Sequence, residues 1–194
     1  MRVYIKYPFA VGLAVLVVLF FDGTGVVFAC LVAMLLHEGG HAAAYAFCTR
    51  KAPVFRIGFG GIALFWNESG IRSWHKSVII LAGPLSNLFV AAVCLLLCRT
   101  QFRFEIFLFG ASNALLGGFN LLPLGFLDGG RLAEMFLSSV LSVNCALHVG
   151  KVLQWGGWLL LCWLFLAKDG ISIAKIALLC FFCYFCCKSF WRKN

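Results

Sequence analysis

Residues 25–48 read GVVFACLVAMLLHEGGHAAAYAFC, and the reading of this stretch decides the fold. It is long enough to cross a bilayer, because a hydrocarbon core of about 30 Å takes roughly 20 predominantly apolar residues in a helix. Its one charged residue is Glu38, flanked by His37 and His41. Ionisable groups at membrane depth are rare, and where they occur they generally carry function. The stretch therefore reads both as a transmembrane span and as a candidate site.

The sequence on either side agrees. Residues 11–21, 78–97 and 171–187 are further apolar runs with few or no charges. Hydrophobic residues make up 63% of the 194 positions and charged ones 12%, about half the charged share of a soluble domain. A soluble fold of this size has too few polar residues here to cover its surface. The pattern predicts an all-α polytopic membrane protein with about six spans, near residues 3–21, 25–48, 77–98, 104–124, 148–167 and 171–188. A further helix, near 131–143, lies at the interface or extends the fifth span. No Ser/Pro/Gly linker, low-complexity tract or repeat divides the sequence, so residues 1–194 are read as one transmembrane domain.

The net charge of +9 sets topology rather than marking a nucleic-acid partner. With the N-terminus inside, the inside segments collect Arg2, Lys6, Arg50, Lys51, Arg56, Arg72, Lys76, Arg131, Lys151, Lys188, Arg192 and Lys193. Only Arg99, Arg103, Lys168 and Lys175 fall in or beside outside loops. This positive-inside bias places both termini in the cytoplasm of a cell-membrane, multi-pass protein. The first segment follows Arg2 and Lys6 as a signal peptide would, but no A-x-A-like cleavage site follows Phe21, so it is read as a retained span. The ten cysteines mostly sit inside apolar spans, where they pack as small hydrophobes.

Residues 54–66 read as two short strands about a Gly60-Gly61 turn, a cytoplasmic β-hairpin between the second and third spans. Open sheet edges do not face lipid, so the hairpin belongs at the interface or against protein. It serves either as a connector or as an edge that pairs with an extended substrate segment.

The chemistry lies in His37-Glu38-Gly39-Gly40-His41. Residues four apart share a helix face, so both imidazoles are placed to hold one zinc ion. A catalytic zinc takes three protein ligands and keeps one position open. Glu38 then stands where it can take a proton from a water. The lack of side chains at Gly39 and Gly40 leaves room for a substrate backbone beside the metal.

The third-ligand candidates are Asp22, Glu68, Glu105, Asp128, Glu134, Asp169, His75 and His148. His37 and His41 lie in the cytoplasmic half of the second span. The fourth span runs in the same direction and reaches the same depth at residues 120–130, where Pro123 and the glycines break the helix. Asp128 is thus at the right depth, whereas Asp22 and Asp169 lie on the other side. Glu68 and His75 fall in a polar loop, and His148 is read as capping or packing at a helix end. A zinc transporter or sensor would need ionisable residues strung along a membrane pathway. The outer halves of the spans have no such relay. A scaffold that had lost activity would show the loss at Glu38 or a ligand, and all are present.

Three blocks resemble the site-2 protease family of intramembrane zinc metalloproteases: residues 35–41 its HExxH helix, residues 81–87 (LAGPLSN) its AGPxxN-like span, and residues 120–129 (NLLPLGFLDG) its NxxPxxxLDG element. The first block alone is shared with soluble metalloproteases; all three in this order are specific. The resemblance implies that His37, His41 and Asp128 bind one zinc ion, that Glu38 activates water, and that Asn120 aids substrate or oxyanion binding. It implies cleavage in or near the transmembrane segment of a membrane-anchored protein, such as a pro-sigma or anti-sigma factor. A membrane regulatory partner is also implied. Residues 82–87 are read as packing first and substrate contact second. The prolines that members often carry between NxxP and LDG are replaced by Leu124-Gly125-Phe126, with the Asn-to-Asp spacing kept. No PDZ-like insertion and no CBS-like domain are read in the chain, which looks closest to the compact, sporulation-type branch.

Overall fold

A computed structural model describes residues 2–5, 20–58, 61–65, 70–125 and 127–142 of the chain, with isolated residues at 12, 15, 16, 145, 148–150, 152, 156 and 157. By its contacts the chain divides into two units, residues 1–120 and 121–194.

Among the described residues of the first unit, apolar stretches fold as three helices, α1 (Val26–Thr49), α2 (Ser73–Thr100) and α3 (Phe104–Asn120). α1 and α2 are long and apolar enough to cross a membrane. The three helices pack pairwise against one another, and small residues set how closely they approach. A Cβ at Gly110 would stand 2.7 Å from Cβ of Cys94, and one at Gly117 would stand 2.9 Å from the carbonyl of Pro84. At the α1–α2 crossing, a Cβ at Gly40 would meet Ala82 O at 2.6 Å and Ser86 Oγ at 2.7 Å. The room expected at Gly40 is therefore filled by α2, while Gly39 has open space beside it.

Polarity in this unit is reversed relative to a soluble bundle. Asn87 and Asn113 are fully buried at the centre, and Phe47 on the outside is 87% exposed. Lipid solvates exposed apolar side chains, and polar groups shielded between helices must bond to one another. The reversal is what a bundle standing in a bilayer requires.

Three strands complete the unit: β1 (Arg2–Ile5), β2 (Val54–Gly58) and β3 (Gly61–Phe65), in the order β1-β2-β3. β1 runs parallel to β2, with Arg2 opposite Val54, and β3 antiparallel to it, with Gly58 opposite Gly61. Two expectations are corrected here. The first span does not begin as a helix at residue 3, since residues 2–5 pair as a strand; Val3, Tyr4 and Ile5 are β-branched or aromatic types that favour strands. Gly61, expected in the hairpin turn, is paired with Gly58 as the first residue of β3, and residues 59–60 lie outside the described residues. β3 forms one outer edge of the sheet and contacts α1.

In the second unit the chain turns at residues 121–127 and enters α4 (Asp128–Val140). This helix starts three residues before the expected 131, with Asp128 in its first turn, where unpaired backbone N–H groups favour negative charge. Gly129 and Gly130 do not break the helix; they belong to that first turn. A Cβ on Gly129 would collide with the carbonyl of Leu121, and one on Gly130 with the carbonyl of Leu124. Only glycine lets the incoming segment lie this close to the helix. The expected fourth span ends as a helix at Asn120, before Pro123. The fifth span apart from a few isolated residues, the sixth span, and Glu68 and Asp169 lie outside the described residues.

The start of α1 is held by Asp22, which accepts from Phe28 N at 3.0 Å and from Thr24 Oγ1 at 3.1 Å. The backbone bond from Phe28 is the main reason its carboxyl lies below its ordinary value of 3.8. A depressed folded value means that the stabilisation is complete above the ordinary value and is lost as pH falls through the folded one. Asp22→Ala is expected to speed hydrogen exchange at residues 26–29 at neutral pH. In the native chain, acidification through the folded value should lower the protection factors of the same amides, measured relative to their intrinsic exchange rates.

Candidate metal centre

α1 carries His37 and His41 one turn apart, and both are buried on the face turned to α2. Their rings meet edge-on with centroids 4.7 Å apart. Each Nδ1 has a partner on α2: Ile79 O at 2.7 Å from His41, and Asn87 Oδ1 at 3.2 Å from His37. The Nε2 atoms face each other at 3.1 Å.

These contacts fix where the protons sit. A carbonyl oxygen only accepts, so His41 carries its proton on Nδ1 and donates it to Ile79. Asn87 decides the matter for His37. Its Nδ2 donates both hydrogens, to Ala33 O at 3.0 Å and to Asn113 Oδ1 at 3.1 Å. Its Oδ1 therefore accepts from His37 Nδ1. In neutral rings both Nε2 atoms then turn a lone pair toward the same point, where a cation can lie between them. Two nitrogens on one tetrahedral zinc, at about 2.0–2.1 Å each, stand roughly 3.3 Å apart, close to the spacing found. The donor set thus fits the ion that the sequence implies. A ring nitrogen bonded through its other N–H to a carbonyl or amide oxygen is also the usual way a ligating histidine is aimed.

Pro84, inside α2, has no N–H to offer the carbonyl of Ile80, which loosens the helix ladder next to the carbonyl that holds His41. Gly83 makes room for the ring itself. A Cβ there would lie 2.5 Å from Cε1 and 2.7 Å from Cδ2 of His41.

Asp128 is buried. His37, His41 and Asp128 make up a trio of side chains that could hold a metal ion. Among the described residues no other trio of His, Cys, Asp or Glu could do so. Glu38 is half-buried beside His37. Asn120 donates from Nδ2 to Leu116 O at 2.9 Å, a bond back onto its own helix. His75 stacks on Trp74 with ring centroids 3.7 Å apart, and Glu105 is exposed in the first turn of α3. Glu134 and His148 are likewise outside the trio.

Four contributors are absent from the sequence reading: Gly83, the Ile79 carbonyl, Asn113, and Asn87 as the partner of His37. The sequence signal was the AGPLSN block, read as packing, and the polar Ser112-Asn113 step in an otherwise apolar helix.

No family model matches the sequence. Over 116 residues, 57% of this chain, it is 34% identical to stage IV sporulation protein FB of Bacillus subtilis. Over 133 residues, 63% of the chain, it is 30% identical to a zinc metalloprotease of Methanocaldococcus jannaschii. The chain spans about two fifths of the length of these relatives, 40% and 38%. Among solved structures it resembles the site-2 protease of M. jannaschii, with a TM-score of 0.63 and 21% identity. That match covers 92% of this chain and 85% of the other.

Proposed function

We propose that this chain is a member of the site-2 protease family, a zinc-dependent endopeptidase that hydrolyses a peptide bond in or near the transmembrane segment of a membrane-anchored protein. The observation that carries the proposal is the pair of Nε2 atoms turned on each other at 3.1 Å, in a HExxH helix. Asp128 supplies the third ligand and the charge that two neutral imidazoles lack. When bound, a zinc ion supplies Lewis-acid chemistry, polarising the scissile carbonyl and acidifying a water.

The chain's own residues do the rest. His37 and His41 hold their acceptor nitrogens in place through Asn87 and Ile79. Glu38 takes the proton of the attacking water and passes it to the departing amide nitrogen as the C–N bond breaks. Open space beside Gly39 admits the substrate backbone. Asn120, at the end of α3, turns its amide from Leu116 toward the developing oxyanion, where a donor stabilises negative charge. The substrate must unwind locally, because a helical carbonyl is shielded by its own hydrogen bond. We place the 194 residues in the bilayer as one six-span domain with both termini and the site toward the cytoplasm. A pro-sigma or anti-sigma factor is the substrate type, and a membrane partner restrains the enzyme.

The purified chain is expected to carry one zinc ion and to cleave co-expressed single-span proteins. Chelation should abolish cleavage and added zinc should restore it. Cleavage that survives complete removal of the metal, or a chain with no affinity for zinc, would overturn the proposal.

A further inference from the structure

Neutral imidazole has two tautomers, and the group facing one ring nitrogen decides which is present. His37 serves as a ligand through Nε2 only if its proton is on Nδ1. The group facing Nδ1 is an asparagine side chain, which offers either an oxygen or an amino group depending on its orientation. Turned the other way, Asn87 would donate to Nδ1, put the ring proton on Nε2 and block the metal.

Two acceptors hold Asn87 in the productive orientation, one on α3 and one on α1. Asn113 donates from Nδ2 to Phe109 O at 2.8 Å. That carbonyl only accepts, so the Asn113 amino end must face it, and Oδ1 must face α2. There it accepts from Asn87 Nδ2 at 3.1 Å. The carbonyl of Ala33 takes the second Asn87 hydrogen at 3.0 Å. The Asn87 oxygen is left toward His37 Nδ1 at 3.2 Å. Both amides have no exposed surface, and a buried amide held in the wrong sense would set donor against donor or acceptor against acceptor.

We infer that Asn113 is a positioning residue for the metal centre, setting the tautomer of His37 through Asn87. The inference rests on the reading of His37 as a ligand. It differs from simple interhelical bonding between α2 and α3, because bonding alone would not care which tautomer results.

The tautomer is read from 15N shifts of the ring nitrogens in the metal-free, His-labelled chain at a pH where imidazoles are neutral. Zinc affinity is measured beside it by competition with a chelator. In the wild type, His37 is expected in the Nδ1–H form. In Asn113→Ala the Nε2–H form should appear and zinc binding should weaken about 10–100-fold, the usual range for removing an outer-shell partner. An Nε2–H wild type, or an Asn113→Ala chain with wild-type tautomer and affinity, overturns the inference. Should Asn113→Ala fail to fold, Asn113→Leu, which fills the same volume, is held to the same two outcomes. These readouts need no proteolysis. Intact zinc binding with an indifferent tautomer would remove the role of Asn113 and leave the protease reading standing.

Discussion

Glu38→Gln is expected to reduce cleavage by about 10²–10⁴-fold, the contribution of a positioned acid–base group, while zinc stays bound. The two outcomes separate because the residues that aim the ligands are not the residue that moves the proton. His37 is set by Asn87 and His41 by Ile79, and neither contact passes through Glu38. Gln matches Glu in shape and helix propensity, so α1 has no reason to shift, but an amide takes up no proton at working pH. A Glu38→Gln chain that still cleaves at the wild-type rate would remove Glu38 from the mechanism. One that loses zinc would mean Glu38 takes part in binding. Zinc content and single-span substrate cleavage, measured on the same preparation, distinguish these results.

What was legible in the sequence follows from how local each feature is. His37 and His41 were readable because a spacing of four on a helix fixes a shared face whatever surrounds it. α1 and α2 were readable because their apolar length nearly determines them. The partners of the imidazoles were not. Asn87 and Asn113 are 26 residues apart in the chain, and their meeting depends on which faces of α2 and α3 touch. Gly83, Gly110 and Gly117 decide those faces, and a glycine in a sequence does not say what it makes room for. β1 was hidden because residues 2–5 run straight into an apolar stretch, so strand and span share one signal; its pairing with β2, some fifty residues on, is not local. Gly61 was read into the hairpin turn because residues 60 and 61 are both glycine, and only the register shows that Gly61 is paired. Gly129 and Gly130 misled in the opposite direction. They have low helix propensity, yet the carbonyls of Leu121 and Leu124 occupy the space any side chain there would need.

Gly83→Ala is expected to be the most damaging single methyl group in the metal centre. The added Cβ would fall on the His41 ring, 2.5 Å from Cε1 and 2.7 Å from Cδ2. These atoms belong to an aromatic ring held at Nδ1 by the Ile79 carbonyl 2.7 Å away, so the ring cannot yield by a small torsion without breaking that bond. In an exposed helix, glycine to alanine is worth about 1 kcal/mol in the favourable direction. Overpacking in a filled interior typically costs about 1–3 kcal/mol, so the clash should outweigh the gain. If instead the ring swings away, His41 leaves the metal and zinc affinity should fall by at least the 10–100-fold expected of an outer-shell change. Gly39→Ala is the matched control. It adds the same methyl to the HExxH helix, but nothing lies within 4 Å of it, so zinc binding should be unchanged or improved. Any loss of cleavage there would report on substrate access alone. Equal zinc affinities for the two variants would mean that the His41 ring does not pack against Gly83. The two facing nitrogens, on which the metal centre depends, would then lose their geometric support.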